Sequence, residues 1–349
     1  MKTLEPGTPD FDTLAFSLAR AKNTKRAFAF HAGTRASALR WQKALREKLV
    51  GLMGGFPARS PLASRRVERR DFGHYVRETV VFTSRPGVTV FAYFLLPPGA
   101  GRGLPCILCF HGHGRGVDSC VGIGKKGEMR PWGKWGEYQH DFALQCVSRG
   151  YAVLAIEQMG FGRRRDPASV GRGAADSSCM PAAGAGLLLG ETMAAWRTWD
   201  AIRGVDYLRT RREVDAARVA VMGISGGGMT AFLSAAVDER ISAAMVSGYF
   251  NTFRDSVLSI RHCIDNYIPG ILLNAEMSDI AGLIAPRPLF VESGATDPIF
   301  PVQAARAAFI EARRIYTVLG AEGNIGIEVF NAGHRFWGKK AFPFLGEHL

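Results

Sequence analysis

The stretch Val219 to Ala236, VAVMGISGGGMTAFLSAA, restricts the fold more than any other part of the chain. A short apolar run, Val219–Met222, leads into Gly223-Ile224-Ser225-Gly226-Gly227, and a small-residue, helix-prone segment follows. The pattern reads as strand, sharp turn and helix, with a serine at the apex. A serine on so tight a corner leaves almost no room for neighbouring Cβ atoms, so the positions two before and two after it must be small. The corner lifts the Ser225 hydroxyl clear of the backbone. It also aims the first N–H groups of the helix at the same spot, where they and the helix dipole favour negative charge. A nucleophile attacking a carbonyl needs that environment, because an oxyanion forms there. The five letters alone would equally describe a glycine-rich turn before a buried helix; the strand–turn–helix context favours the nucleophile.

Other short apolar runs predict the rest of a mostly parallel, buried sheet: Cys106–Phe110, Tyr151–Ile156, Ser242–Ser247, Leu289–Glu292 and Ile327–Phe330. Helices are predicted over 138–149, 187–210, 277–283 and 302–319, with Leu188, Thr192, Ala195, Trp199, Ile202 and Leu208 on the buried side of the second. Residues 166–186 read as irregular loop, and 249–270 as an irregular segment able to roof a pocket. Upstream, 12–30 and 36–53 read as helices, Pro57–Pro61 as a linker, and Tyr75–Thr83 and Val88–Leu95 as paired strands. The expected organisation is a helical arm, 1–65, ahead of a catalytic domain, 66–349.

Charge supports that division. Residues 1–70 hold 15 Lys and Arg against 5 Asp and Glu, so +10 of the net +13 lies there. No nucleic-acid motif accompanies the charge. A solvated helical face or a subunit contact is the expected use, which makes a homo-oligomer formed through the arm an expectation and nucleic acid not a partner. No apolar run reaches the roughly 18 residues that span a membrane, and the N-terminus lacks an apolar signal region. The six cysteines are scattered, so a reducing cytoplasm is expected.

A serine hydroxyl needs a base to take its proton and a carboxylate to orient that base. Three histidines follow Ser225: His262, His334 and His348. His334 alone sits just past a predicted strand in a glycine-bearing loop, Asn331-Ala332-Gly333-His334. Asp297 lies in the turn-rich loop after strand 289–292, whereas Glu292 is still on that strand. Catalytic candidates are therefore Ser225, Asp297 and His334. His111-Gly112-His113-Gly114, after strand 106–110, has glycines that let main chain approach a substrate oxygen. A metal site on His111 and His113 lacks partners at usable spacing. Cys106 and Cys109, three apart on a strand, face opposite sides and read as core. Gly122–Gly127 has the form G-x-G-x-x-G, but no strand precedes it and Pro131 interrupts the expected helix. Arg163, Arg164 and Arg165 read as a solvated run, with an acidic-substrate clamp the alternative.

HGHG at 111–114, GFG at 160–162, GISGG at 223–227, APRPLFVESGATDPIFP at 285–301 and NAGH at 331–334 together make most of 70–349 resemble the α/β hydrolases. The resemblance is to the dienelactone-hydrolase-like branch, near its acetyl-xylan-esterase-like members. It implies an α/β-hydrolase fold, a mostly parallel central sheet flanked by helices, here with an N-terminal helical extension. It implies the order nucleophile, acid, histidine, and oxyanion-hole donors in the backbone N–H groups of His113 and Gly226. A serine in place of the cysteine of a dienelactone hydrolase points away from dienelactone and toward a small-molecule carboxylic ester, acetylated carbohydrate among the options. No metal or organic cofactor is implied. Trp132, Trp135, Tyr249, Phe300 and Trp337 are expected at the substrate mouth from loop position. The alternatives are a peptidase or amidase, an acyltransferase on the same triad, or a binding protein without catalysis.

Overall fold

Each of those apolar runs supplies a strand of one nine-stranded sheet in the computed structural model, which describes residues 11–349; only Tyr151 and Ser242 fall just outside. The strands are β1 (Arg65–Asp71), β2 (Val76–Arg85), β3 (Val88–Leu96), β4 (Leu104–Phe110), β5 (Ala152–Ile156), β6 (Val214–Ile224), β7 (Ala243–Ser247), β8 (Leu289–Gly294) and β9 (Ile325–Phe330). Their order is β1-β2-β3-β5-β4-β6-β7-β8-β9. The first three pair antiparallel, and β3 meets β5 antiparallel. The remaining strands pair in parallel. The chain leaves β4 to one side for β5 and returns to its other side for β6. The crevice beyond the carboxyl ends of β4 and β6 is thus a topological switch point, where parallel sheets place their ligands.

The helices are α1 (Thr13–Asn23), α2 (Arg35–Leu52), α3 (Phe142–Val147), α4 (Pro167–Gly171), α5 (Cys179–Leu188), α6 (Met193–Leu208), α7 (Gly226–Val237), α8 (Met277–Ala281), α9 (Val302–Val318) and α10 (Ala341–His348). Two apolar layers sandwich the sheet. One contains Leu108, Val221 and Phe232, the other Ile107, Met222 and Phe142. Cys106 and Cys109 fall in opposite layers, as alternation along β4 requires. Among the described residues no helix is long and apolar enough to cross a membrane.

Several sequence expectations shift. The first helix ends at Asn23, not 30, because the next residues find partners elsewhere: Ala27 and Phe28 donate N–H bonds to the carbonyls of Leu273 and Asn274. Residues 166–186 are partly helical. Asp166 caps α4 by accepting from the Ser169 N–H at 3.0 Å, with Pro167 in the first turn. Leu188 ends α5 and is 91% exposed, so it is no part of the buried side of α6. Left-handed backbone at Glu137, His140 and Asp141 delays α3 to Phe142. His348 belongs to a C-terminal helix and bonds the Phe344 carbonyl through Nδ1. The charged strand β1, RRVERRD, is exposed throughout and edges the sheet, where charge blocks pairing with another chain.

The arm is not a separate body. Ala38, Leu45 and Leu49 of α2 are fully buried in the same core as α7 and α9. Gln42 donates to the carbonyls of Gly282 and Ala285, both at 2.6 Å. The division at 65/66 therefore separates segments that share one core. Leu45→Ala should cost about 2–5 kcal/mol in urea unfolding. Leu39→Ala, on the exposed face of the same helix, should change stability by no more than about 0.5 kcal/mol. Equal small effects would mean that the arm is merely appended.

Candidate active site

Ser225 joins β6 to α7 with φ 58° and ψ −125°, a strained conformation for a residue with a side chain. Contacts on both sides fix it. A Cβ at Gly223 would lie 2.2 Å from the Gly227 carbonyl oxygen, and one at Gly227 would lie 1.9 Å from that of Phe110. The helix start is therefore pressed against the ends of both β4 and β6, which only glycine at 223 and 227 allows. The Ser225 N–H donates to the Ser247 carbonyl at 3.0 Å and so ties the corner to β7.

His334 follows β9 and Asp297 follows β8, which pair in register up to Gly294 and Phe330. The two side chains meet: His334 Nδ1 lies 2.7 Å from Asp297 Oδ2. The other carboxylate oxygen accepts the N–H groups of Ile299 and Phe300 at 2.9 and 3.1 Å. Because a carboxylate accepts and never donates, the ring proton sits on Nδ1 and Nε2 is the basic nitrogen. Among the described residues Nε2 has no hydrogen-bond partner. Tyr138 and Phe300 stack nearly parallel to the imidazole, 6.0 and 5.7 Å between centroids. Gly248 makes room for it, since a Cβ there would come within 3.1 Å of His334 Cε1. Ser225 and His334 line one cavity of about 400 Å³. No hydrogen bond joins the hydroxyl to Nε2; such bonds are often loose in the absence of substrate.

The loop after β4 reaches the same cavity. The Gly226 N–H, first in α7, has no helical acceptor, and no hydrogen bond engages the His113 N–H. Two residues clamp this loop that the sequence did not single out for it. The Tyr138 hydroxyl donates to the His113 carbonyl at 2.5 Å, and Gln139 Oε1 accepts the Gly112 N–H at 3.0 Å. His111 is buried and accepts the Gln158 N–H on Nε2 at 3.0 Å, a purely structural role. The His113 ring turns the other way, toward Cys179, Cys263 and Asp265.

The substrate-mouth expectations are corrected. The cavity is lined by His113, Tyr138, Ile260, Arg261, His262, Cys263 and Ile299 besides the serine and histidine, and none of the five aromatics is among them. Tyr249 and Phe300 are buried, 1% and 2% exposed. Trp132 packs on His74, Tyr75 and Trp135, while Trp337 stacks on Phe330. Aromatic loop residues filled gaps between loops instead. The lining of 260–263 comes from the segment expected to roof the pocket, so its place was legible and its residues were not. Burial lowers the His262 pKa, keeping the ring neutral at pH 7. Arg163 pairs with Asp118 and Glu157, Arg164 with Asp200, and Arg165 holds carbonyls of its own loop. None of the three borders the cavity. The G-x-G-x-x-G segment forms a turn closed by an isolated bridge, Ile123 to Met129, and by backbone bonds such as Gly124 N–H to the Glu128 carbonyl.

Glu292, passed over as the acid, has a different task. Its carboxyl accepts from the Ser247 hydroxyl at 3.0 Å and from the N–H groups of Trp337 and Gly338 at 3.2 and 2.6 Å. It thereby fastens the segment that follows His334. Burial pushes its pKa from 4.5 up to about 7, against the pull of those donors. The folded protein then holds this proton more tightly than the unfolded chain. The stability it contributes is complete below about pH 4.5 and is lost as pH rises through 7. Relative to Glu292→Gln, which cannot titrate, the native protein should lose up to about 3 kcal/mol between pH 4.5 and 8 in urea unfolding. A constant difference across that range would contradict the assignment.

Comparison with known proteins agrees with this architecture. The sequence profile of the Abhydrolase family matches residues 13–313. The chain is 28% identical over 295 residues to "Putative hydrolase YtaP" of Bacillus subtilis (strain 168), covering 83% of this chain and 92% of that protein. A "putative acetyl xylan esterase" of Bacteroides fragilis NCTC 9343 superposes with TM-score 0.81 at 18% identity, over 96% of this chain and 94% of the other. A glucuronoyl esterase from Solibacter usitatus gives 0.62 at 17% identity, over 88% and 92%. The profile match spans the helical arm as well as the sheet, and with the strand order and the serine corner it shows that the chain belongs to the Abhydrolase family and has the α/β-hydrolase fold.

Proposed function

We propose that the protein is a serine hydrolase of carboxylic esters, acting through an acyl-enzyme. The observation that carries the reading is the Asp297–His334 pair, with its basic nitrogen unpartnered, on the same cavity as a serine held at a glycine-locked corner. Ser225 Oγ attacks the ester carbonyl and His334 Nε2 takes its proton. Asp297 keeps the tautomer and stabilises the imidazolium. The N–H groups of His113 and Gly226 receive the oxyanion. His334 then protonates the leaving alcohol, and water attacks the acyl-enzyme with His334 again as base. Substrate binding has to bring the hydroxyl and Nε2 into hydrogen-bond contact.

The substrate class is an ester of a carbohydrate. Support comes from structural neighbours named as acetyl xylan esterases and glucuronoyl esterases. A panel of esters varying acyl length and alcohol, with acetylated sugars included, tests the assignment. Ser225→Ala and Asp297→Asn should each lower kcat by about 10³-fold or more while leaving the unfolding transition in place. Near-native hydrolysis by Ser225→Ala would overturn it. Amide cleavage at a rate matching the best ester would favour a peptidase or amidase instead.

A further inference from the structure

Four side chains that the hydrolytic steps do not use converge beside the serine corner, and two of them, His113 and Cys263, also border its cavity. They are His113 from the loop after β4, Cys179 at the start of α5, and Cys263 and Asp265 from the segment between β7 and α8. One ligand-capable atom of each lies within 4.8 Å of all the others. His113 Nε2 is 3.5 Å from Asp265 Oδ2, and Cys179 Sγ is 3.6 Å from the same oxygen. Around a tetrahedral zinc ion, ordinary bond lengths set nitrogen and oxygen ligands about 3.4 Å apart and sulfur and oxygen about 3.6 Å apart. Both observed separations match edges of that tetrahedron.

Two independent features point to a cation. First, His113 Nε2 is buried and among the described residues has no hydrogen-bond partner, although a buried nitrogen is ordinarily satisfied. Second, the cluster has a supporting partner: Arg197, fully buried, donates to Asp265 and to Cys179 Sγ, the latter at 3.2 Å. N–H donors on ligand oxygen and sulfur are the outer contacts that hold metal ligands in place. Charge balance agrees. Two thiolates and a carboxylate carry three negative charges, which the guanidinium and a divalent ion together cancel.

We propose that His113, Cys179, Cys263 and Asp265 form a structural site for a divalent cation of the zinc class. Four protein ligands leave no open coordination position, so the ion has no part in hydrolysis. It ties three segments together beside the first turn of α7. The His113 ring is so close there that a Cβ on Gly226 would lie 3.2 Å from it. The ion thus fixes the loop that offers the His113 N–H. Sequence spacing hid the site, because only Cys263 and Asp265 are neighbours in the chain.

The test uses the full chain, reduced, stripped with chelator and titrated with cobalt(II) alone. The expected result is one equivalent bound, with thiolate-to-cobalt charge-transfer absorption and the intense visible bands of a tetrahedral centre. Zinc should displace it one for one. Ser225→Ala should bind identically, so the result is independent of the hydrolase reading. Cys179→Ser and Cys263→Ser, checked for native circular dichroism, should each lose about half of the charge-transfer intensity or all binding. Absence of charge transfer in the folded protein would overturn the proposal. So would a spectrum unchanged in both cysteine variants, or a Cys179–Cys263 disulfide in the peptide map of freshly purified protein.

Discussion

The contact on which the architecture depends is the approach of the first turn of α7 to the ends of β4 and β6. The Gly227 backbone lies so near the Phe110 carbonyl that no side chain could stand between them. This one constraint holds Ser225 in left-handed backbone and raises its hydroxyl into the crevice. It also brings the Gly226 N–H beside the loop after β4. Strain of this kind costs on the order of 1–3 kcal/mol and persists only where the surroundings over-determine it. Here the surroundings are six parallel strands, the central ones buried along the length that meets the corner, so the rigid sheet sustains the strained corner.

The histidine arm is built by a different principle. Its loops are held by polar contacts more than by packing. Asp297 is positioned by two backbone N–H groups, His334 by Asp297 and by two stacked rings, and the segment beyond it by Glu292. Each carboxylate at this end of the sheet has a separate task. Asp297 sits where its oxygens are fully partnered, while Glu292 is buried deeply enough for its charge to be disfavoured at neutral pH. Two acids five residues apart thus differ in role through environment alone.

Much of this was legible from the chain. Apolar runs gave each parallel strand, and the order of elbow, acid loop and histidine loop gave the residues that the structure brings together. That worked because strand ends of a parallel sheet all open on one crevice, so position after a strand predicts position in space. Legibility failed where placement depends on partners distant in sequence. The aromatics Tyr249 and Phe300 read as pocket walls and are core, because loop position says nothing about which way a ring packs. Tyr138 and Gln139 clamp the HGHG loop through contacts 25 and 27 residues away, and no local signal marks them. The arm, separated by its charge, belongs to the common core through four buried positions of α2, a stripe its many surface Lys and Arg residues obscured.

In the proposed mechanism Ser225 is the nucleophile and His334 its base. Reaction of the native protein with a fluorophosphonate, followed by peptide mass mapping, tests it most directly. One covalent adduct per chain is expected, on the peptide carrying Ser225, with loss of labelling when His334 is replaced by alanine in a folded variant. No adduct on the native protein, or an adduct on another residue, would contradict it.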